Sequence, residues 1–405
     1  MANTLSVDQI STLVNQIVQQ ATGESSLAVT NTKDLVTIGQ TKLLTGYDPI
    51  MSAISQVLSR TIFAIRPYSR KFKGMEYSTQ EWGNHVRKLN ILDRAFQDNG
   101  SYSLTEGQSV DQYIVKKPEI IQTNFYGKQT YEYQDTIFED QLKVSFTGMG
   151  EMNSFLSGIM TRAANQLEQA REELARTAIV NMIAAKIDQA GNANANTSVI
   201  YLIGEYNSKY GTSHTTFDDV LAAGELYQFS AFMIARIKEI MRLMEHRNTL
   251  YHYNIKYNDA SLMRNTPRKD QRVYLSAPVL EQIETAVYSQ AFHDEYLKVA
   301  DYEAVAYWQD PTSPLEINAK PSEFDLTQAT YGEIKTGNTI NKTNVFGIIA
   351  DRDAMGYTVF SEKVRTSPYN AKGEYYNIFY KNEYQWFNDF SENAVVLLLA
   401  PTPTP

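Results

Sequence analysis

The sequence predicts an α+β protein with much of its surface lying outside any compact core. Three observations support this. Met152–Ile187 carries an unbroken helical pattern, with Leu156, Ile159, Met160, Ala163, Leu167, Ala170, Leu174, Ala178, Met182 and Ile183 recurring at threes and fours. The stretch before it, residues 66–128, holds only short β-leaning runs between turn signals. The stretch after it, residues 197–345, mixes helical and strand patterns without strict alternation.

At 405 residues with 43% hydrophobic content, the chain can build two modest cores, or one core with long extensions. Charged residues at 20% and aromatics at 12% describe a chain that folds. No run of about 18 apolar residues is present, so no membrane-spanning helix is expected. Met1–Gln20 lacks a basic segment followed by an apolar block and does not read as a secretory signal. Cysteine is absent, which removes disulfides, thiolate metal sites and a cysteine nucleophile, and fits synthesis in a reducing cytoplasm. The formal net charge of −9 opposes a dedicated nucleic-acid-binding role, though not a role in enclosing DNA.

In chain order, Ser6–Gln9 is a capping box for a first amphipathic helix that stops near Gly23, with Ile10, Leu13, Val14, Ile17 and Val18 on one face. Such a helix is either an ordinary packed element or an arm that docks on a neighbour, because an isolated helix of this length is marginal. Thr22–Gly46 reads as a linker. Asp48-Pro49 then opens a second short helix, through N-cap Asp and first-turn Pro, with Ile50, Ile54, Val57, Leu58 and Ile62 on its apolar face.

Residues 66–128 contain turn signals at Lys73-Gly74, Asn99-Gly100 and Glu106-Gly107 and read as a long two-stranded projection. This segment holds ten basic and seven acidic residues, a net of +3, which leaves about −12 for the rest of the chain. It reads either as a solvated hairpin or as a basic arm lying on the acidic surface of another copy. On the second reading Arg70, Lys71, Lys73, Arg87, Lys88, Arg94, Lys116 and Lys117 are the candidate inter-subunit contacts.

Phe125–Phe146 is strand-like, with Tyr131 and Tyr133, then Leu142, Val144 and Phe146, alternating with polar residues. The long helix follows, roughly 50 Å at 1.5 Å per residue. Glu168/Arg171 and Glu172/Arg176 are spaced as favourable ion pairs on its other face, which reads as solvated. Gly191–Asn196 is a small-residue loop and a domain boundary. Beyond it come a helix over about Glu225–Arg247, a buried strand at Val273–Leu275, a helix after Pro278, and strands at Val345–Ile349 and Ala394–Leu399. Pro401–Pro405 is a loose end.

The chemistry search is negative. His85, His214, His246, His252 and His293 make no zinc spacing. Gly332–Thr339 has Asn338 where a phosphate loop needs lysine. Asp351-Arg352-Asp353 reads as a turn closing a strand rather than as metal carboxylates. There is no Gly-x-Ser-x-Gly elbow, and Trp82, Trp308 and Trp386 make no stacking platform. No catalytic residue, cofactor or metal site is expected.

The order of elements resembles the major capsid proteins of tailed bacteriophages, a fold shared with encapsulins and the herpesvirus capsid floor. Met152–Ile187 resembles the spine helix of that fold, and Val273–Pro278 its axial strand-to-helix turn. Val345–Ala354 is similar to a common late-chain stretch, Glu374–Phe387 to the late peripheral strands, and Glu392–Leu397 to the closing axial strand. The resemblance covers nearly the whole chain past about residue 50; the residues before Asp48 depart from it.

The resemblance implies an N-terminal arm (1–65), an extended E-loop (66–128), a peripheral domain with the spine helix (129–190), an axial domain (191–355), returning peripheral strands (356–388), and a closing axial strand with the C-terminal tail (389–405). It implies a structural, non-enzymatic subunit of an icosahedral shell around a double-stranded DNA genome, located in the virion and assembled in the host cytoplasm. The partners it implies are further copies of the chain in pentamers and hexamers, together with portal, scaffolding or decoration proteins. DNA is enclosed without sequence-specific binding, and no membrane is involved. A cellular nanocompartment shell and an enzyme with an unrecognised site are the competing readings.

Overall fold

The computed structural model describes residues 68, 70–77, 86–94, 96, 103–125, 127–141, 149–192, 197–257, 260–290, 302–326 and 333–401. The two N-terminal helices, the linker between them, and the expected alternation at Leu142, Val144 and Phe146 lie outside the described residues, as do Asn194 and the last four residues. The chain divides into two compact units. One comprises residues up to Asn84, Gly127–Ala175 and Tyr357–Gln385. The other comprises His85–Tyr126, Arg176–Gly356 and Trp386–Pro405.

The first unit is built on a four-stranded sheet. Its strands, in spatial order, are Glu76–Tyr77, Met355–Thr366, Tyr375–Asn388 and Gln129–Phe138. The last two run antiparallel over ten residue pairs, from Tyr375 opposite Phe138 to Tyr384 opposite Gln129. Aromatic residues make that register specific. Tyr133 and Tyr380 are directly opposed with ring centroids 5.7 Å apart, and Phe138 and Tyr375 are 5.9 Å apart. Each such pair contributes about 0.2–1 kcal/mol, and a one-residue slip would break all of them together. Residues 70–77, which the sequence reading groups with the projection, are placed in this unit: Phe72 and Met75 are buried, and Glu76 and Tyr77 pair with Tyr357 and Thr358.

The long helix runs Met149–Asp188, 40 residues and about 60 Å. It starts three residues earlier than the apolar periodicity indicates. Its residues through Ala175 group with the first unit and those from Arg176 with the second. The solvated face runs through Arg162, Gln166, Gln169, Glu173 and Thr177 rather than through the expected ion-pair residues. Glu168, Arg171 and Glu172 are buried, and from Ala178 to Ile187 every side chain is buried, including that of Lys186. Charge spacing at i, i+3 and i, i+4 is the same for an exposed stripe and for a buried ion-pair network, and here the partners come from distant segments.

The second unit has a five-stranded sheet at its centre, ordered Glu303–Val305, Gln271–Ser276, Val345–Asp351, Ala394–Leu398, Val199–Tyr201. The inner three strands pair antiparallel, and each edge strand joins parallel to its neighbour. Val345–Asp351 and Ala394–Leu398 are buried at every position, which explains why they appear in the sequence as continuous apolar runs. At Gly347 a Cβ would lie 2.5 Å from the Tyr274 carbonyl oxygen, so this strand approaches its neighbour more closely than a side chain allows.

Helices Leu226–Glu245 and Ala277–Gln290 cover the sheet through Phe229, Met233, Ile237, Ile240, Val279 and Ile283. Pro278 sits inside the first turn of its helix, where a missing N–H costs nothing. Asp351-Arg352-Asp353 is a strand-closing turn: the Asp353 amide donates to Asp351 Oδ1 (2.8 Å) and the Ala354 amide to the Asp351 carbonyl (3.1 Å). Among the described residues no helix is long and apolar enough to cross a membrane.

Candidate assembly arm and its anchors

Strands Val86–Ile91 and Ile120–Phe125 form an antiparallel hairpin stem with Val86 opposite Phe125 and Ile91 opposite Ile120. Apolar residues lie on both of its faces: Ile121 and Phe125 point inward, the Phe125 ring 5.2 Å from that of Phe387. Lys88 is half-buried and Asn90 buried, whereas Leu89, Ile91 and Ile120 face outward; Ile91 and Ile120, directly opposed, are 63% and 61% exposed. Beyond the stem, Phe96, Val110, Tyr113, Ile114 and Val115 are also exposed. Residues 104–118 hold a turn at Glu106-Gly107 and no strand or helix. An exposed apolar set of this size is more than scattered surface residues account for.

The inward face is held by ions. Lys88 Nζ donates to Asp389 Oδ2 at 2.6 Å and to Glu392 Oε1 at 2.5 Å. Arg264 contacts Glu392 at 3.1 Å, donates to Asn90 Oδ1 at 2.6 Å, and donates through Nε to the Ser391 carbonyl at 3.1 Å. Burial acts to lower the Lys88 pKa, but Asp389 and Glu392 outweigh it and the ammonium is held above its usual range. Burial raises the Glu392 carboxyl, against Lys88 and Arg264.

A small apolar cluster of Leu92, Ile255, Ala260 and Leu262, with Ile121 against it, forms a second anchor. Asp93 and Arg94 add backbone pairing to Ser261 and Ala260. A polar cleft of about 550 Å3 opens at the stem base. Its charged groups pair among themselves, Arg247 with Asp93 and Arg352 with Asp353. Among the described residues no group of three or more histidine or acidic side chains could hold a metal ion.

The eight candidate basic residues fall into different settings. Arg70 is buried in the first unit. There its guanidinium donates to both Glu168 carboxylate oxygens (2.9 and 2.8 Å), to the Tyr357 hydroxyl (2.9 Å) and to Glu76. Arg171 joins the same network through Glu168 (3.2 Å) and Glu362. Lys88 is the stem anchor. Arg94 is half-buried and paired with Glu119 at 3.1 Å within the arm. Lys71, Lys73, Arg87, Lys116 and Lys117 are exposed.

The sequence reading missed Asp389, Glu392, Arg264 and Asn90 as anchors. It also missed the outward Leu89, Ile91 and Ile120. The order Arg-Lys-Leu-Asn-Ile alternates, but alternation alone does not say which set faces water. Asp389 and Glu392 lie some 300 residues from Lys88, with no local signal linking them.

The sequence model of the Phi29-like phage major capsid protein family matches residues 13–398. The chain belongs to this family. It is a structural protein of the phage capsid shell. The capsid of Staphylococcus phage Andhra has a chain of the same fold, with TM-score 0.50 and 11% identity over 82% of this chain and 85% of that one. A chain in the structure of the head fiber and inner core protein gp22 of native bacteriophage P68 matches with TM-score 0.53 and 9% identity, over 82% of this chain and 85% of that one. At such identities the likeness concerns the fold alone, the α+β capsid fold expected from the order of elements. No curated protein matches the chain in sequence.

Proposed function

We propose that this capsid subunit completes its own hydrophobic surface with copies of itself, using the 86–125 hairpin as the extended loop that lies across the next subunit. The observation that carries this is the exposed apolar set on the outward face of the stem, Leu89, Ile91 and Ile120. Burying each outward side chain on a neighbour contributes about 1.5–3 kcal/mol, enough for a few such contacts to hold a heterologous ring. Lys71, Lys73, Arg87, Lys116 and Lys117 supply basic contacts to the more acidic remainder of the neighbouring chain, while Arg70 and Lys88 serve within their own chain.

On this reading the subunits close into pentamers and hexamers. Portal, scaffolding or decoration proteins bind the assembled lattice, and DNA is enclosed without sequence-specific contacts. Assembly takes place in the host cytoplasm, and the chain carries no catalytic activity and needs no cofactor. The domain scheme follows, with the arm up to residue 65, peripheral segments at 129–190 and 356–388, and axial segments at 191–355 and 389–405.

The test is the triple variant Leu89→Ser, Ile91→Ser, Ile120→Ser in the full chain. Expected is a folded subunit that electron microscopy and sedimentation show as unassembled, under conditions where the parent protein forms shells. Normal shells from the triple variant would overturn the role of the hairpin.

A further inference from the structure

The last two turns of the long helix carry a two-stranded ribbon, Ser322–Phe324 paired with Ile334–Thr336. The docking is polar and specific. The Asn181 amide group donates to the Ser322 carbonyl (3.0 Å) and accepts from the Ser322 amide (2.8 Å). Gln189 Nε2 donates to Glu323 Oε1 (2.6 Å). After the ribbon, Asn338 donates through its backbone N–H and through Nδ2 to the two oxygens of Asp188, both at 2.9 Å. Asp188 is the last residue of the helix, where the helix dipole already disfavours a negative charge.

Asp188 and Glu323 face one another across Gly337. A Cβ there would lie 2.5 Å from Asp188 Oδ2 and 3.1 Å from Glu323 Cδ. Glu323 is fully buried, and its Oε2 has no hydrogen-bond partner among the described residues. The charged groups around the pair are Asp325, buried one residue past the ribbon strand, and Lys335, directly opposite Glu323 in register. Lys335 Nζ lies 3.6 Å from Glu323 and 3.8 Å from Asp325. Tyr253 also feels both carboxyls, but its hydroxyl donates to the Ala185 carbonyl (2.9 Å) and stays neutral, its pKa raised first by burial.

Three carboxyls therefore meet one ammonium and a helix C-terminus. A buried set of that composition retains a proton. The hydrogen bonds say which carboxyl holds it. Asp188 accepts two N–H groups, whereas Glu323 Oε2 meets no donor among the described residues and is the oxygen placed to carry it.

We propose that Asp188 and Glu323 share one proton, and that this proton latches the ribbon onto the end of the long helix, so that its loss loosens the ribbon. Burial first, and then the facing Asp188, push the Glu323 carboxyl up to about 7 from an ordinary 4.5. A carboxyl whose pKa is raised in the docked state stabilises docking fully below its undocked value. The contribution is lost as pH rises through the docked value, by at most about tenfold per pH unit for one proton. The working window thus runs from the ordinary glutamate range to near neutrality. The latch lies within one unit and does not depend on how the shell is built.

Hydrogen exchange on the full-length protein, corrected for intrinsic rates, tests this. Protection of peptides over 322–324 and 334–336 is expected to fall more than tenfold between about pH 5 and 7.5 and to flatten above that, with strands 271–276 and 345–351 as the internal reference. Glu323→Gln, whose amide donates to Asp188 at every pH, is expected to hold protection constant. If that variant fails to fold, Asp188→Asn serves: burial alone then raises the Glu323 carboxyl, so the fall in protection is expected to shrink and to shift to lower pH. Constant protection in the parent protein, or an unchanged pH dependence in whichever variant folds, would overturn the latch.

Discussion

The hairpin stem and the central sheet of the second unit draw on the same residue types and put them to opposite use. In Val345–Asp351 and Ala394–Leu398 the apolar side chains are buried at every position, and the strands lie between neighbours on both sides. In the stem Leu89, Ile91 and Ile120 face outward, and a lysine shares the inward face with Ile121 and Phe125. The sheet is stabilised by the hydrophobic effect inside one chain. The stem is attached by an ion cluster, by Ile121 on a four-residue apolar patch and by Phe125 against Phe387, while Leu89, Ile91 and Ile120 stay exposed. A capsid subunit needs both, because a surface that satisfies itself within the monomer has nothing left to drive assembly.

Four variants probe that contrast, from the largest expected effect on subunit stability to the smallest. Ile349→Asp places an unpaired carboxyl in the middle strand and should cost more than about 4 kcal/mol, read as loss of folded protein in denaturant unfolding. Lys88→Ala leaves Asp389 and Glu392 buried with Arg264 beside Glu392 and Lys186 near Asp389, and should cost about 2–3 kcal/mol. Exchange protection should then be lost first across Val86–Ile91 and Ile120–Phe125. Equal loss across the whole second unit would mean that the ion cluster is core rather than anchor.

Lys186→Met acts in the opposite direction. Lys186 is fully buried, donating to the Tyr251 carbonyl (3.2 Å) and lying 4.5 Å from the Tyr253 ring. Burial lowers its pKa to about 7, with Asp389 opposing. The unfolded chain therefore binds the extra proton between about pH 7 and 10.5, and the parent protein should gain stability as pH rises across that window, at most about 1.4 kcal/mol per unit. The methionine variant should be about 1–3 kcal/mol more stable near neutral pH and should show no such gain. The triple serine variant of the stem should change subunit stability by under about 0.5 kcal/mol per site, because its side chains are already in water, while it abolishes shells. A large loss of subunit stability would instead make the outward face part of the monomer's core.

Much of the fold was legible without coordinates. Apolar periodicity marked the long helix to within three residues at its start, and continuous apolar runs marked the middle strands of the central sheet. The Asp351–Asp353 turn followed from side-chain chemistry. These features are local: propensity, period and turn geometry act over a few residues, and one chain suffices to read them. The order of elements carried the fold family for the same reason, since it is a property of the chain.

Tertiary structure decided the rest. Glu168 and Arg171 have the spacing of a solvated ion pair, yet Arg70, Tyr357 and Glu362 surround them. The eight basic residues share a charge and a segment, yet Arg70 is core, Lys88 is an anchor and Lys116 is exposed. The proton between Asp188 and Glu323 depends on two carboxyls 135 positions apart meeting across one glycine. Burial and charge pairing are set by which distant segments arrive at the same place. A one-dimensional pattern lists the groups that can ionise or avoid water, and only packing determines which of them are left facing it.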